Sequence, residues 1–265
     1  MKIISFSLWG SVFKYNNGAI FNAIEAQEIY PDWTCRFYCD KKVPQSTLDK
    51  LKELQSEIVQ VDTVGSWDGL FWRFWAMDDS AEAVIIRDTD SVVNTREQAA
   101  VTEWLASPYI LHGMRDHIEH NVPIMGGMWG CKKPEELFGG KLRKKIADWR
   151  TPQQVVKGTD QDFLKTFVWS KYREQMLVHD RFEGRVFKLP NGELVSPSEL
   201  IYYNKFDNVD PDYPHGKIEF RDHGTFQRLD VYEYDAIAYF GEHKILSFPK
   251  HYRMKYGNYV GEIMI

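Results

Sequence analysis

Two carboxylates that follow an apolar stretch are the first feature of the sequence with a recognisable chemistry. Residues 83–87 read AVIIR, and Asp88, Thr89 and Asp90 come directly after them. Such an apolar run is typical of a strand covered on both faces, and α/β sheets bind ligands at the carboxyl ends of their strands. Asp88 and Asp90 therefore predict a site for a hard divalent cation, Mn²⁺ or Mg²⁺.

A cation held at this position would bridge a diphosphate and neutralise the charge that develops on a leaving nucleotide. The alternative is structural, because short acidic pairs are also common in turns and helix caps. The place of the pair at a covered strand end favours the cation, since so much negative charge there requires a positively charged partner.

The elements around the acidic pair alternate between strand-like and helix-like patterns. This alternation predicts an α/β fold of Rossmann-like type, with a mixed, mostly parallel sheet flanked by helices. The predicted strands are residues 3–8, 35–39, 58–61, 83–87, 109–113, 124–129 and 176–179. The predicted helices are residues 18–30, 46–54, 68–77, 95–106, 135–150 and 161–172.

Composition narrows the class of protein further. The chain has 265 residues, 43% of them hydrophobic, which is enough for one large core. A net charge of −5 gives no general attraction to nucleic acid or to an anionic membrane. The odd count of three cysteines favours reduced thiols, and no leader or long apolar segment is evident. We therefore expect a cytoplasmic protein without stable membrane insertion.

Four short motifs, taken in order, resemble those of a known enzyme group. They are Phe71–Phe74 with its central Arg73, the strand end that leads into Asp88, the glycine pair of residues 126–130 (GGMWG), and residues 160–164 (DQDFL). The set is similar to GT-A-fold glycosyltransferases, above all to the retaining galactosyl- and glucosyltransferases of glycosyltransferase family 8 and their bacterial and viral relatives. The resemblance covers about residues 1–182.

The resemblance implies a nucleotide-sugar donor bound beside the acidic triplet. Asp88 would contact the ribose and the metal, Thr89 would contact the donor, and Asp90 would ligate the metal. Arg73 would contact the donor sugar or pair with Asp88, since its fork of donors suits both kinds of oxygen. The alternative for Arg73 is a surface arginine that extends its head group into water.

The resemblance also implies roles for the two later motifs. Gly126 and Gly127 would let the backbone approach the donor sugar, which only residues without a side chain permit. Asp160 would orient the sugar hydroxyls, and Gln161 would lie beside the anomeric carbon. The alternatives are a structural turn for the glycines and a helix N-cap for Thr159 or Asp160.

One part of the family pattern is missing from this sequence. Family members usually supply a third metal ligand from a histidine followed by Gly-x-x-Lys-Pro near the C-terminus, and no such string occurs here. His179 is our first substitute and His251 our second, although an isolated histidine at a strand end is more often only hydrogen-bonded. A further polar group is a candidate for acceptor contacts: His112, Arg115, Asp116, His117 and His120.

The nucleobase is expected at the end of the first strand. Ser7, Trp9 and Tyr15 lie within reach of that position, and the ring of Trp9 or of Tyr15 could stack on a pyrimidine. This assignment rests on position in the sequence alone.

These observations predict transfer of a sugar from a nucleoside-diphosphate donor, most simply UDP-linked, to a hydroxyl acceptor such as a glycan. The Asp-Gln pair favours retention of anomeric configuration. Residues 1–184 would form the catalytic core, and residues 185–265 a β- and loop-rich extension packed on it, on a possible acceptor side. Two alternatives stay open: transfer to a hydroxymethylated base in DNA, which would have to be flipped out of the duplex, and a carbohydrate- or nucleotide-binding module without catalysis.

Overall fold

The computed structural model of this chain describes residues 1–93, 95–115, 122–150 and 155–180, and six short strands after residue 186. The side chains of residues 95, 96, 180 and beyond are outside that description. The strands of the first 180 residues are β1 (Lys2–Leu8), β2 (Trp33–Cys39), β3 (Glu57–Gln60), β4 (Ala83–Arg87), β5 (Ser91–Val92), β6 (Leu111–Arg115), β7 (Met128–Lys132) and β8 (Met176–Asp180).

Helices of three kinds connect these strands. The α-helices are α1 (Phe13–Ile29), α2 (Gln45–Glu53), α3 (Thr95–Ala106), α4 (Pro134–Phe138), α5 (Leu142–Arg150), α6 (Thr159–Phe163) and α7 (Ser170–Tyr172). Residues Trp67–Asp78 form a 3₁₀ helix, residues Leu164–Trp169 a π-helix, and residues Arg173–Gln175 a short 3₁₀ turn.

The strands build one mixed sheet whose order confirms the predicted α/β class. Eight strands take part: Ile201–Tyr202 lies at one edge, followed in order by β8, β6, β7, β4, β1, β2 and β3. Strand β5 is not part of this sheet. Pairing is parallel throughout except along β7, which runs antiparallel to both β4 and β6. Strands β1 and β4 are therefore parallel neighbours, and their carboxyl ends lie side by side.

Two apolar layers cover the sheet, one on each face. On one face α1, α2 and α3 pack with residues such as Phe6, Phe37 and Trp104. On the other face the 3₁₀ helix, α4, α5 and the segment from α6 onward pack with residues such as Phe74 and Trp129. Strand β4 is buried along its whole length, so the residues after it leave the core at a covered edge, as the sequence predicts.

Three predicted helices differ from the observed ones in bounds or in helix type. The helix predicted over residues 135–150 is divided into α4 and α5, because Gly139 and Gly140 adopt the left-handed values φ 68° and 60° that end a helix. The segment predicted as a helix over residues 68–77 is a 3₁₀ helix over Trp67–Asp78. The helix predicted over residues 161–172 begins at Thr159 and contains a π-helical stretch.

Strands predicted after residue 100 are shifted by a few residues. The strand predicted at residues 109–113 lies at Leu111–Arg115, and the one predicted at 124–129 lies at Met128–Lys132. Glycines interrupt the apolar pattern of both segments, so periodicity alone does not fix where pairing begins.

The described part of the C-terminal region consists of short strands: Phe187–Lys188, Leu194–Val195, Ile201–Tyr202, Gln227–Arg228, Ala236–Phe240 and His243–Phe248. Two of them meet the first 180 residues, since Ile201–Tyr202 pairs with β8 and Gln227–Arg228 pairs with β5. All three cysteines are buried and free of disulfides. Among the described residues, none of the helices has the length and apolar character needed to cross a membrane.

A buried ion pair fastens α3 to the end of β4. Arg87 Nε donates a hydrogen bond to Glu97 Oε1 at 2.7 Å, and the Tyr30 hydroxyl donates to the same oxygen at 3.1 Å. The two charged side chains are 1% and 2% exposed. Burial, reinforced by the nearby Glu97 carboxylate, raises the pKa of Tyr30 well above its ordinary value and keeps the hydroxyl protonated as a donor. Arg87 directly precedes Asp88, so this ion pair helps to hold the acidic triplet in position.

Replacing one member of this pair is expected to destabilise the fold strongly. Glu97→Gln leaves the Arg87 charge buried without a counter-charge, which costs about 3 to 5 kcal/mol. The free energy of unfolding in urea measures the loss. Asp148→Asn serves as the control, because its partner Lys144 is 71% exposed and Asp148 itself 65%, so less than about 1 kcal/mol should be lost. Equal, small losses in the two variants would contradict the structural role of Glu97.

Candidate active site

A cleft of about 230 Å³ opens where β1 and β4 end. It brings together the residues predicted to bind the donor or to act in catalysis, although they are far apart along the chain, but, among the described residues, none of the predicted histidines. Those that line it are Ser7, Trp9, Tyr15, Arg73, Asp88, Thr89, Asp90, Gly126, Gly127, Asp160 and Gln161. Leu8, Trp67, Leu70, Met125, Met128, Lys157 and Gly158 complete the lining.

The guanidinium of Arg73 joins two sides of the cleft. Its Nη1 donates to Oδ1 of Asp88, at the end of β4, and its Nη2 donates to Oδ2 of Asp160, in α6, at 2.8 Å. The side chains of Arg73 and Asp160 are 4% and 3% exposed, whereas that of Asp88 is 30% exposed. Arg73 is therefore a buried bridge between two motifs, and the surface alternative does not apply.

The charge states of this bridge follow from burial and from the neighbouring charges. Burial alone would lower the pKa of Arg73, but attraction from Asp88 and Asp160 outweighs it and raises the pKa above its ordinary value. Burial also raises the pKa of Asp160, and the Arg73 guanidinium and backbone hydrogen bonds oppose that shift only in part. Arg73 thus remains a fixed positive charge in the floor of the cleft.

Two serines on β1 hold the backbone at Arg73. Ser5 Oγ donates to the Arg73 carbonyl oxygen at 2.7 Å, and the Arg73 amide donates to Ser7 Oγ at 2.8 Å. Ser5 and Ser7 are two residues apart on a strand and therefore point to the same face. Ser7 therefore both lines the cleft and holds the backbone of Arg73 in position.

Helix α1 supports the turn that contains Asp88, Thr89 and Asp90. A Cβ added to Gly18 would lie 1.9 Å from the Thr89 carbonyl oxygen, so only glycine fits there. Asn22 lies one helical turn further on and is fully buried; its Nδ2 donates to the Ser91 carbonyl at 2.7 Å and its Oδ1 accepts from the Val93 amide at 3.1 Å. The acidic triplet is therefore clamped against α1.

Lys14, at the start of α1, forms the second cationic contact of the acidic triplet. Its Nζ lies 3.1 Å from Asp90 Oδ2, and the two side chains are 16% and 18% exposed. The ammonium is also 5.1 Å from the centre of the Tyr15 ring. Each aspartate of the triplet thus faces a protein cation, Asp88 through Arg73 and Asp90 through Lys14.

The glycine pair before β7 lies against the two carboxylates that Arg73 joins. A Cβ added to Gly126 would lie 2.0 Å from Asp160 Oδ2, and one added to Gly127 would lie 2.1 Å from Asp88 Oδ2. Side chains at these two positions would collide with the site itself. The glycines are therefore needed for the close approach of backbone and carboxylates, beyond any role in a turn.

Asp160 and Gln161 enter the cleft from the first turn of α6. Gly158, with φ of 89°, occupies the N-cap position before Thr159, so neither Thr159 nor Asp160 is the N-cap residue. The Thr159 hydroxyl instead donates to the Val156 carbonyl at 2.8 Å. Asp160 is thereby left to pair with Arg73.

The aromatic residues of the cleft differ in how accessible their rings are. Trp9 packs edge-on against Trp72, with ring centres 6.0 Å apart, and a Cβ added to Gly65 or Gly69 would lie 2.2 or 2.5 Å from Trp9. By contrast, Tyr15 is 39% exposed and Trp67 46% exposed. Of the two rings predicted to stack on a nucleobase, Tyr15 is the more accessible.

His179 is placed away from the cleft lining, in a buried cluster. Its Nδ1 lies 2.9 Å from His112 Nε2, its Nε2 lies 3.4 Å from Glu103 Oε2, and the His112 ring stacks on Trp104. Burial, followed by the nearby charges of His179 and Arg87, lowers the pKa of His112 well below its ordinary value. The structure therefore does not bring His179 to Asp88 and Asp90; its contacts are the hydrogen-bonded alternative that an isolated strand-end histidine suggests.

The residues predicted to contact the acceptor are either buried away from the cleft or outside the described residues. His112 and Arg115 lie on β6 and are 0% and 1% exposed, so the structure does not offer them as acceptor contacts. Asp116, His117, His120 and His251 lie outside the described residues.

Several residues of the site were not predicted from the sequence. Asp40, 1% exposed after β2, accepts from the Gly10 amide at 3.0 Å and from the Gly65 amide at 2.8 Å, which ties together the loops that carry Trp9 and Trp67. Lys14 and Lys157 were missed as well. An aspartate at the end of a strand next to β1 was the available signal for Asp40, whereas nothing in the spacing of the lysines marks them.

No protein-family model and no curated protein sequence matches this chain. Among solved structures, it is similar to a glycosyltransferase involved in the glycosylation of the major capsid of PBCV-1, at 16% identity and a TM-score of 0.46, over 69% of this chain and 82% of that one. It is also similar to the galactosyltransferase LgtC, solved with donor and acceptor sugar analogs, at 12% identity and a TM-score of 0.45, over 69% and 75%.

A third similar structure is the apo form of the glycosyltransferase GlyE of Streptococcus pneumoniae TIGR4, at 16% identity and a TM-score of 0.47. This match covers 66% of the present chain and 44% of GlyE, so the chain spans less than half the length of that protein. At such low identity these likenesses do not establish an activity, which has to be inferred from the site itself.

Proposed function

We propose that this chain is a metal-dependent glycosyltransferase, which moves a sugar from a nucleoside-diphosphate donor to a hydroxyl acceptor. The observation that carries the proposal is the Arg73 bridge, because it joins the acidic triplet to the Asp160–Gln161 pair across one cleft. A donor needs a charged end for its diphosphate and a polar end for its sugar, and the bridge holds both at a fixed separation.

The acidic triplet provides the charged end of the proposed site. Asp88 and Asp90 offer hard oxygen donors to one cleft, which suits Mn²⁺ or Mg²⁺. Among the described residues there is no group of three His, Cys, Asp or Glu side chains arranged to hold a metal, so the diphosphate and water would supply the other ligands. A cation bound there would act as a Lewis acid towards the leaving diphosphate.

The protein's own residues provide the rest of the binding site. Gly126 and Gly127 leave room for the sugar beside the Arg73 bridge, and Tyr15 offers a ring on which a uracil could stack. Lys157 lines the wall that also carries Asp160 and Gln161, where its charge would attract a phosphate. We assign the donor as a UDP-sugar on the resemblance of the motifs to family 8.

Asp160 and Gln161 provide the polar end of the proposed site. The Asp160 carboxylate, held by Arg73, would accept hydrogen bonds from sugar hydroxyls, and Gln161 would lie beside the anomeric carbon. This arrangement supports transfer with retention of configuration. The acceptor that fits best is a glycan hydroxyl, since the exposed Trp67 at the cleft offers a flat apolar surface for a sugar ring.

Binding and turnover of donors test the proposal directly. With UDP-glucose or UDP-galactose and Mn²⁺, at a free concentration near 100 times Kd, the folded state should gain about 2.7 kcal/mol, which a thermal-shift measurement detects. Slow release of UDP from the donor without acceptor should accompany binding. A binding module without catalysis would be stabilised but release no UDP, and a lack of stabilisation by any nucleotide-sugar would reject the proposal.

Two aspartate variants should separate the two ends of the site. Asp90→Asn is expected to abolish metal-dependent donor binding, because it removes an anionic ligand. Asp160→Asn should bind UDP nearly as well as the wild type while turnover falls by about two orders of magnitude, because Asp160 acts on the sugar. Calorimetry with UDP and Mn²⁺ and the rate of UDP release provide the two readouts. An equal loss of UDP affinity in both variants would refute this division of roles.

A glycine variant should disturb the site without removing any charge. In Gly126→Ala the new methyl group would displace Asp160 from Arg73, and misplacement by about 1 Å costs on the order of a hundredfold in turnover. Gly113→Ala is the matched control, since its Cβ would meet only Met176 Sδ, at 3.4 Å, and Val178 Cγ2, at 3.9 Å, which are ordinary contact distances. UDP-release rates of the two variants are compared in Mn²⁺. If Gly113→Ala lowered the rate as far as Gly126→Ala does, the effect would not come from the cleft.

A further inference from the structure

Lys14 stands where the proposed function needs a metal ion. Its Nζ is 3.1 Å from Asp90 Oδ2, and Asp90 is one of the two carboxylates that would bind the divalent cation. Its neighbour Tyr15 lines the cleft, which places the ammonium at the cleft's edge. A divalent cation on Asp90 and the Lys14 ammonium would repel each other at such short range.

The helix dipole does not account for the position of Lys14 in the first turn of α1. The first turn of α1 contains no acidic residue, and a helix favours negative rather than positive charge at its N-terminal end. The helix dipole therefore does not favour Lys14 at this position, whereas the nearby carboxylate of Asp90 does.

The side chain of Lys14 can exchange that partner for another. An ammonium has three hydrogen-bond donors on a flexible four-carbon stem, and here it is only 16% exposed, so water alone satisfies it poorly. When a cation binds Asp90, the ammonium loses that contact and can donate to another anionic oxygen nearby. The diphosphate that arrives with the cation carries several such oxygens.

We propose that Lys14 couples donor binding to metal binding, by neutralising Asp90 before the donor arrives and by moving to the diphosphate once a divalent cation occupies Asp90. This inference rests on the proposed function and assigns Lys14 as a positioning residue for the donor. With Lys14 paired to Asp90, the site binds a free divalent cation weakly, whereas it binds the cation well when a nucleoside diphosphate is present. Linkage requires the coupling to be the same in both directions.

The full-length Lys14→Met variant tests the coupling through binding alone. Electron paramagnetic resonance of free Mn²⁺ gives the metal affinity, and calorimetry with UDP in metal-free buffer gives the nucleotide affinity. Lys14→Met should bind Mn²⁺ about tenfold more tightly and metal-free UDP about tenfold more weakly than the wild type. Opposite shifts cannot come from general damage to the fold, which would weaken both ligands.

Two further variants control for charge. Lys14→Arg keeps the positive charge and should leave Mn²⁺ binding as weak as in the wild type. Lys52→Met makes the same change in net charge on the surface of α2, where Lys52 is 61% exposed, and should leave both affinities unchanged. An Mn²⁺ affinity of Lys14→Met equal to or weaker than that of the wild type, or an equal tightening in Lys52→Met, would overturn the proposal.

The outcome is distinguishable from failure of the proposed function. If the wild type releases UDP from a UDP-sugar in Mn²⁺ but Lys14→Met leaves the Mn²⁺ affinity unchanged, the coupling fails and the glycosyltransferase assignment stands. If the opposite shifts occur but no sugar is transferred or released, the coupling stands and the assignment fails. Absence of Mn²⁺ binding in the wild type and in every variant would overturn the coupling.

Discussion

The buried guanidinium of Arg73, shared between Asp88 and Asp160, is the interaction on which the geometry of the site depends. Arg73 and Asp160 are nearly inaccessible to water, and an isolated carboxylate in such surroundings would be strongly disfavoured. The rigid, permanently charged guanidinium of Arg73 stabilises both carboxylates, because each of its two Nη atoms donates to one of them. The same two contacts set the distance between strand β4 and helix α6. The glycines at 126 and 127 are required because the carboxylates leave no room for a side chain.

Aromatic packing keeps this bridge in place. The 3₁₀ helix Trp67–Asp78 inserts Phe71, Trp72 and Phe74 into the core on one face of the sheet, and the Phe74 ring meets Trp129 of β7 edge to face at 5.3 Å. Long 3₁₀ helices are uncommon, and this one is secured by the contacts of Ser5 and Ser7 with the Arg73 backbone. Burial of these aromatic rings thereby fixes the orientation of the Arg73 guanidinium.

Charges across the cleft are balanced in two stages. Arg73 pairs with Asp160 on the buried side of the site, where the two side chains are 4% and 3% exposed, whereas Lys14 and Asp90 pair at a less buried edge, with side chains 16% and 18% exposed. The contact between Arg73 and Asp160 is held in place because both side chains are enclosed, whereas the Lys14 ammonium lies on a flexible stem that can reorient. In the proposed function, such a division would keep the sugar end of the site constant while the diphosphate end changes partners.

The α/β class, the covered strand at residues 83–87 and the group of residues that meet in the cleft could all be predicted from the sequence. Those features follow from hydrophobic periodicity and from short motifs whose residues are near one another in the chain. Pairing of Arg73 with Asp88 was one of the two expected contacts, but its second contact, with Asp160, was not expected. Nor did the sequence show that Asn22 and Asp40 secure the surrounding loops, or that His179 contacts His112. Each of these contacts joins residues that are far apart in the sequence. A local sequence pattern does not show which face of the sheet a helix will cover, or which polar side chain will lie opposite it in the folded protein. Only the packing of α1, the 3₁₀ helix and α6 on the sheet decided those partners, because burial forces each polar group to find its counterpart within the space that the fold leaves.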